Sequence, residues 1–275
     1  MMKQWVGLCV LACVSNAFAR DALKEPSWET LALRTPESVL VHQIDGRKVL
    51  LVSEIEGGHS DADAKGGVAL LAADGKIINQ DFVRGLNAPK GMAVFAGTLY
   101  VADMTELVAI DLADRSVVQR YPVEGASFLN DVAVDGDGVV YVSDTHTGKV
   151  HRLINGKLDT YREGLAGANG LYTLADALYI GAGKRLYRTT SAGDMTLVAE
   201  GFAEDVDGVE ALNDGGFIVS CWAGLIYHLQ EDGTLQLLLD SRKEQINTAD
   251  IGYDPATDTL FVPTFLKHSV RAYSL

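Results

Sequence analysis

FLNDVAVDGDGVVYVSDTHTGKVHRL, Phe128 to Leu153, carries the pattern that sets the fold expected for the whole chain. DVAV alternates apolar and polar residues, DGDG at Asp135–Gly138 reverses the chain, VVYVSD returns, THTGK reverses it again, and KVHRL follows. Asp-Gly between alternating apolar runs is a strong hairpin signal, because glycine takes the positive φ that a tight turn needs. The stretch therefore predicts three antiparallel strands in succession, and its phrasing recurs along the chain.

Aligning the second arm of each strand pair gives LLV, LYV, VYV, LYI, FIV and LFV, centred on Leu51, Tyr100, Tyr141, Tyr179, Ile218 and Phe261. Successive spacings are 49, 41, 38, 39 and 43 residues. The first five arms are each followed by a third strand and a fourth. Six such units predict an all-β, six-bladed β-propeller, since a sandwich or barrel would not repeat so regularly. The sixth unit ends at SVRAYSL with three strands, while WETLALR, Trp28–Arg34, is a spare strand ahead of the first unit. The N-terminal strand is thus expected to close the ring and leave no open edge.

The first 19 residues read as a signal peptide: Lys3, an apolar run from Trp5 to Val14, and the A-x-A signature Ala17-Phe18-Ala19. Residues 20–275 are then a single propeller domain, exported, with the bacterial periplasm favoured over full secretion. Cleavage after Ala19 leaves Cys221 as the one cysteine, which excludes an internal disulfide. Loss of Lys3 takes the formal charge from −14 to −15, against a nucleic-acid partner, whose phosphates need Lys and Arg clusters. No later run is long and apolar enough to span a membrane, and the oligomeric state is left open.

With these phrases the chain resembles the gluconolactonase family, which includes regucalcin (senescence marker protein) and the luciferin-regenerating enzyme. The resemblance rests on Pro36-Glu37-Ser38-Val39-Leu40, Asn130-Asp131, Asn169-Gly170-Leu171 and Asp207-Gly208-Val209. It implies that Glu37, Asn169 and Asp207 hold one divalent cation with Asn130 beside it, and that Asp207 is the general base. It also implies a lactone-like small-molecule substrate touching Asn130, Phe128 and Asp131. Phe128 stands where regucalcin-like members place a sugar-gripping Arg, which points to a less polar substrate. Ser38 stands where the family usually has Gly.

The repeat leads to the same residues. Asn130, Asn169 and Asp207 precede their aligned arms by 11, 10 and 11 residues, and Glu37, with a longer turn, by 14. All four thus start a blade's innermost strand, and those starts converge on one mouth of the central channel. Pro89 and Ala249 are expected in the same slot of the other two blades. Two carboxylates about 4 Å apart repel by roughly 4 kcal/mol at an effective dielectric of 20, so one takes a proton or a cation sits between them. An all-oxygen donor set suits Ca²⁺ first, with Mg²⁺ and Zn²⁺ open.

The ends of the second arms, Glu54, Asp103, Asp144, Cys221 and Thr264, should share that mouth, with Asp131 and Asp250 just inside. Taken singly, these acids read as a solvated rim and Cys221 as a small buried apolar residue. GGHSDADAKGG, Gly57–Gly67, reads first as a solvated loop and second as a lid over the mouth. The function expected is a metal-dependent hydrolase of lactones or small esters. The alternative is a non-catalytic ligand- or protein-binding propeller with a structural cation. A third arrangement would use Glu210 as a catalytic acid deep in the channel.

Overall fold

Hydrogen bonding gathers the strands into six antiparallel sheets of four, arranged as the blades of a propeller. The computed structural model describes residues 19–190 and 193–275, so the signal-peptide reading falls almost wholly outside the described residues. The innermost strands are Pro36–Ile44, Pro89–Phe95, Leu129–Val134, Ala168–Leu174, Val206–Ala211 and Gly252–Asp254. The expected closure is present. Trp28–Thr30 pairs with Val270–Ser274 and supplies the outer strand of blade six. Ala32 and Thr35, at φ 64° and 55°, then redirect the chain into the first inner strand.

Inner blade strands are buried on both faces because each blade is sandwiched between two others. Leu50, Leu51 and Val52 are consecutive and all fully buried. The core is accordingly a ring of clusters, one at each junction between blades. The outer strands give up this protection: Val118 in Ser116–Pro122 is 56% exposed.

Ring closure is bonded at the channel as well as at the rim. Asp250 N–H donates to the Glu37 carbonyl (2.9 Å) and Val39 N–H to the Asp250 carbonyl (3.2 Å), joining blade six to blade one. At the rim, Trp28 lies against Phe261 with ring centroids 5.8 Å apart. Among the described residues no helix is long and apolar enough to cross a membrane.

Phe261 is 2% exposed and packs across the closing junction. Phe261→Ala should lower the unfolding free energy by about 3–5 kcal/mol, and Val118→Ala should change it by less than about 0.5 kcal/mol. Urea unfolding midpoints of the two variants check this.

Candidate functional site

Each of the first five inner strands carries an irregularity at the same place. Pro36 pairs with Glu54 and Val39 with Val52, so Glu37 and Ser38 together face the single residue Ser53. The same two-against-one bulge holds Lys90-Gly91, Asn130-Asp131, Asn169-Gly170 and Asp207-Gly208. A bulge adds a residue to one strand and re-aims a side chain. Here the first member of each pair serves the mouth of the channel and the second forms its waist.

The extra N–H of a bulge needs an acceptor. In three blades a buried serine of the second arm provides it. Ser38, Asp131 and Gly208 N–H donate to the hydroxyls of Ser53 (2.9 Å), Ser143 (2.9 Å) and Ser220 (2.8 Å). At the waist the strands nearly touch. A Cβ on Gly170 would lie 1.9 Å from the Asp207 carbonyl oxygen, and one on Gly91 2.1 Å from Asp131 Oδ1.

The bulge register corrects one expectation. The residue of blade two equivalent to Glu37 is Lys90, not Pro89, which pairs with Asp103 one step earlier. Blade two turns through Ala96-Gly97 alone, between the paired Phe95 and Thr98, so its slot lies ten residues before Tyr100 rather than eleven. Ala249 keeps its expected place. The mouth is thus built from Glu37, Lys90, Asn130, Asn169 and Asp207, and it carries a cation of its own.

These five side chains line a cavity of about 270 Å³. Its wall is Ile55, Phe128, Trp222 and Phe265 with His59 and His146. Phe128 stacks on His146 (centroids 4.6 Å apart, 28° between planes), and Lys90 Nζ sits 4.4 Å from the Phe128 ring centre. His59, from the loop after Glu56, meets Phe128 edge-on at 5.9 Å. The acidic loop therefore reaches the cavity at this one residue, while Gly58 to Lys65 as a stretch is exposed.

Asp207 is 3% and Glu37 5% exposed, so their environment rather than water sets their charge. Asn169 Nδ2 donates to Asp207 Oδ1 at 2.9 Å. Burial, with the charge of Asp250 added, pushes the Asp207 carboxyl up to about 8, and the Asn169 bond offsets only part of this. Glu37 is raised well above the carboxylate range by burial first and by Asp207 second. Burial lowers Lys90, against the pull of Glu37.

Whether a cation fits is decided by atoms that lack partners. Glu37 Oε2 and Asn169 Oδ1 are both shielded from solvent and accept no hydrogen bond in the described structure. Buried acceptors are ordinarily satisfied, and a hard cation would satisfy both. Asn130 gives its amide N–H to Thr145 Oγ1 (3.0 Å), and the Thr145 hydroxyl donates on to the Ala168 carbonyl (2.8 Å). Among the described residues, no three His, Cys, Asp or Glu side chains gather as a metal-ligand set. Two carboxylates and two amides are what this mouth offers.

Asp131 is placed elsewhere. Its carboxylate accepts Val132 N–H (2.7 Å) and, across the blade junction, Leu171 N–H (2.6 Å). It lines a second cavity of about 230 Å³ toward the opposite end of the channel, together with Asp250 and Glu210. Neither Asp131 nor Glu210 lines the cavity that holds Glu37, so direct substrate contact by Asp131 there is not supported.

The second-arm acids are not a solvated rim. Glu54, Asp103 and Asp144 are fully buried and tie down the loops that lead into the blades. Asp103 accepts the N–H groups of Asn87 and Ala88, and Asp144 those of Ser127 (2.9 Å), Phe128 (3.0 Å) and Thr147 (3.3 Å). Burial alone would raise Asp144, but these bonds hold it below the usual carboxylate range. Cys221 is buried as expected, its thiol pushed up to about 12 by burial first. Asp135 in DGDG accepts Asp137 and Val139 N–H, which is turn chemistry.

Neither a protein-family model nor a curated protein sequence matches the chain. Solved structures do. A proposed gluconolactonase superposes with TM-score 0.64 at 16% identity, over 92% of this chain and 94% of that one. The chain has the fold of a six-bladed β-propeller. A streptogramin B lyase gives TM-score 0.64 at 14% identity, over 90% of this chain and 96% of that one. Catalytically inactive virginiamycin B lyase from Staphylococcus aureus, solved with quinupristin, gives 0.62 at 14%, over 90% and 98%. At such identities the likeness establishes the six-bladed architecture and no more.

Asp207 also has a consequence for stability. Its folded pKa is raised from 3.8 to about 8, so the metal-free folded state keeps a proton that the unfolded chain releases. The stability this proton confers is complete below pH 4 and is lost as pH rises through about 8. In chelator, the melting temperature of Asp207→Asn should fall less between pH 5 and 8 than that of the wild type. Parallel profiles would contradict the assignment.

Proposed function

We propose that this protein is an exported, metal-dependent hydrolase of lactones or small esters. The observation that carries the reading is the pair of shielded, unpartnered acceptors, Glu37 Oε2 and Asn169 Oδ1, beside Asp207. Glu37, Asn169 and Asp207 would hold one divalent cation, with Asn130 as a fourth oxygen donor or a substrate hydrogen-bond donor. Ca²⁺ suits this set best, because it contains neither imidazole nor thiolate. When bound, such an ion draws electron density from a carbonyl oxygen and stabilises negative charge there.

The chain's own residues supply the rest. Asp207, ionised once a cation offsets its neighbours, takes a proton from the attacking water. The carbonyl carbon gains the new C–O bond, the ring C–O bond breaks, and the proton passes to the departing alkoxide, leaving a hydroxy acid. The wall of Ile55, Phe128, Trp222 and Phe265 keeps water scarce and favours an apolar substrate body. Export rests on the sequence of the first 19 residues alone, and Arg20, just after the expected cleavage point, belongs to the folded domain. Its side chain is already bonded to Asp258 (3.0 Å) and Asp214 (3.3 Å).

A lyase is the second reading, favoured by His59 and His146 in the cavity wall and by the fold shared with streptogramin B lyases. Product mass separates the two, because hydrolysis adds one water and elimination adds none.

Metal analysis of the purified protein should find about one divalent ion per chain, and chelator should abolish turnover of a lactone panel. Asp207→Ala should fold and lose about 10²–10⁴-fold in rate. A folded Asp207→Ala protein working at the wild-type rate rules out the general-base role. Protein that holds the ion but turns over no lactone favours the non-catalytic binding propeller, and metal-free protein indifferent to chelator removes the metal site.

A further inference from the structure

Two features of the cavity are not used by the hydrolytic reading: the Lys90 ammonium and the aromatic wall. Lys90 is 2% exposed yet lines the cavity. Among the described residues its one hydrogen bond goes to the Ala88 carbonyl, at 2.9 Å. An ammonium has three N–H groups, so two remain without a hydrogen-bond acceptor, and the Phe128 ring at 4.4 Å compensates them only weakly. Burying a charge without such partners is costly.

Glu37 is the opposite charge that acts on Lys90 most strongly. A dication held by Glu37, Asn169 and Asp207 would balance the two carboxylates and leave Lys90 only the charge of Asp103, which is already engaged by Asn87 N–H, Ala88 N–H and Arg120. A neutral lactone would leave the ammonium charge standing, whereas a single carboxylate on the substrate would cancel it. The wall states what the rest of such a molecule should be. Trp222 meets Phe265 edge-on at 5.6 Å and is 46% exposed, and Phe128 stacks on His146 across the same cavity. The half-exposed Trp222 can take a ring against it, and Phe128, which carries His146 stacked on it and Lys90 Nζ over it, can meet that ring by its edge. The volume, about 270 Å³, suits a single ring with a short acid chain.

We propose that the site is selective for aromatic substrates bearing a carboxylate, Lys90 binding the carboxylate while Phe128 and Trp222 hold the ring. Lys90 is then a specificity-determining residue, and the inference rests on the cavity being the substrate site of the proposed hydrolase.

The test uses unreactive probes, phenylacetate and its uncharged counterpart phenylacetamide, titrated calorimetrically into full-length mature protein loaded with Ca²⁺. The wild type should bind phenylacetate at least about tenfold more tightly, about 1.4 kcal/mol. Lys90→Met should level the two probes while its phenylacetamide affinity stays within about twofold of wild type, and Lys90→Arg should keep the preference. Equal affinities in the wild type, or a preference that survives in Lys90→Met, overturn the proposal. Should Lys90→Met fail to fold or to hold the ion, Lys90→Gln takes its place, because bound Ca²⁺ itself favours a carboxylate and only loss of the ammonium separates the two sources of preference. Carboxylate preference without lactone turnover would remove the hydrolase reading alone. Turnover of neutral lactones without that preference would remove this inference alone.

Discussion

Everything at the channel mouth depends on a backbone irregularity, the bulge repeated near the start of five inner strands. A regular strand would send successive side chains to alternate faces, into one blade junction and then the other. The extra residue breaks that alternation and offers one side chain per blade to the channel mouth. The bulge is retained because its costs are met locally. Ser53, Ser143 and Ser220 accept the displaced N–H groups, and glycines at the waist let neighbouring backbones approach. The buried acids Asp103 and Asp144 hold the incoming loops from the other side. Site and scaffold are therefore one construction.

The charges gathered there are held away from their ordinary states by burial and by one another. Glu37 and Asp207 are too buried to ionise freely, and Asn169 is committed by its nitrogen but not by its oxygen. A divalent ion would resolve both deficits. Lys90 complicates the balance, because it already neutralises part of the acidity and would be repelled by a bound ion. That tension makes the site asymmetric and gives it a preferred sign of ligand charge.

Much of this was legible in the sequence, and the failures have physical causes. The blade count follows from recurring LYV-like arms, and the closing strand from a surplus at one end matched by a deficit at the other. Asn130, Asn169 and Asp207 were singled out by the family resemblance, and counting back from those arms led to the same three. Lys90 escaped because the slot was sought eleven residues before Tyr100, at Pro89, whereas blade two, like blade four with its two-residue turn Ala175-Asp176, places it ten before. The bulges leave only a faint trace, the serine just before the arm's end in LVSE, YVSD and IVSC. Acidity at the arm ends was misread as solvated, since nothing local shows that loops fold over Asp103 and Asp144. Asp131 was expected to touch substrate beside Asn130 because adjacency in sequence does not reveal which bulge residue faces which way. Trp222 and Phe265 come from the loops just past the second arms and carry no signal of their own.

The bulged residues Glu37, Asn169 and Asp207 are proposed to form one cation site at the channel mouth. Anomalous diffraction from crystals grown with Mn²⁺ tests it most directly. The account predicts a single strong peak within coordination distance of Glu37 Oε2, Asn169 Oδ1 and the Asp207 carboxylate. A map with no peak there, and the Lys90 ammonium bonded directly to Glu37 in its place, would contradict it.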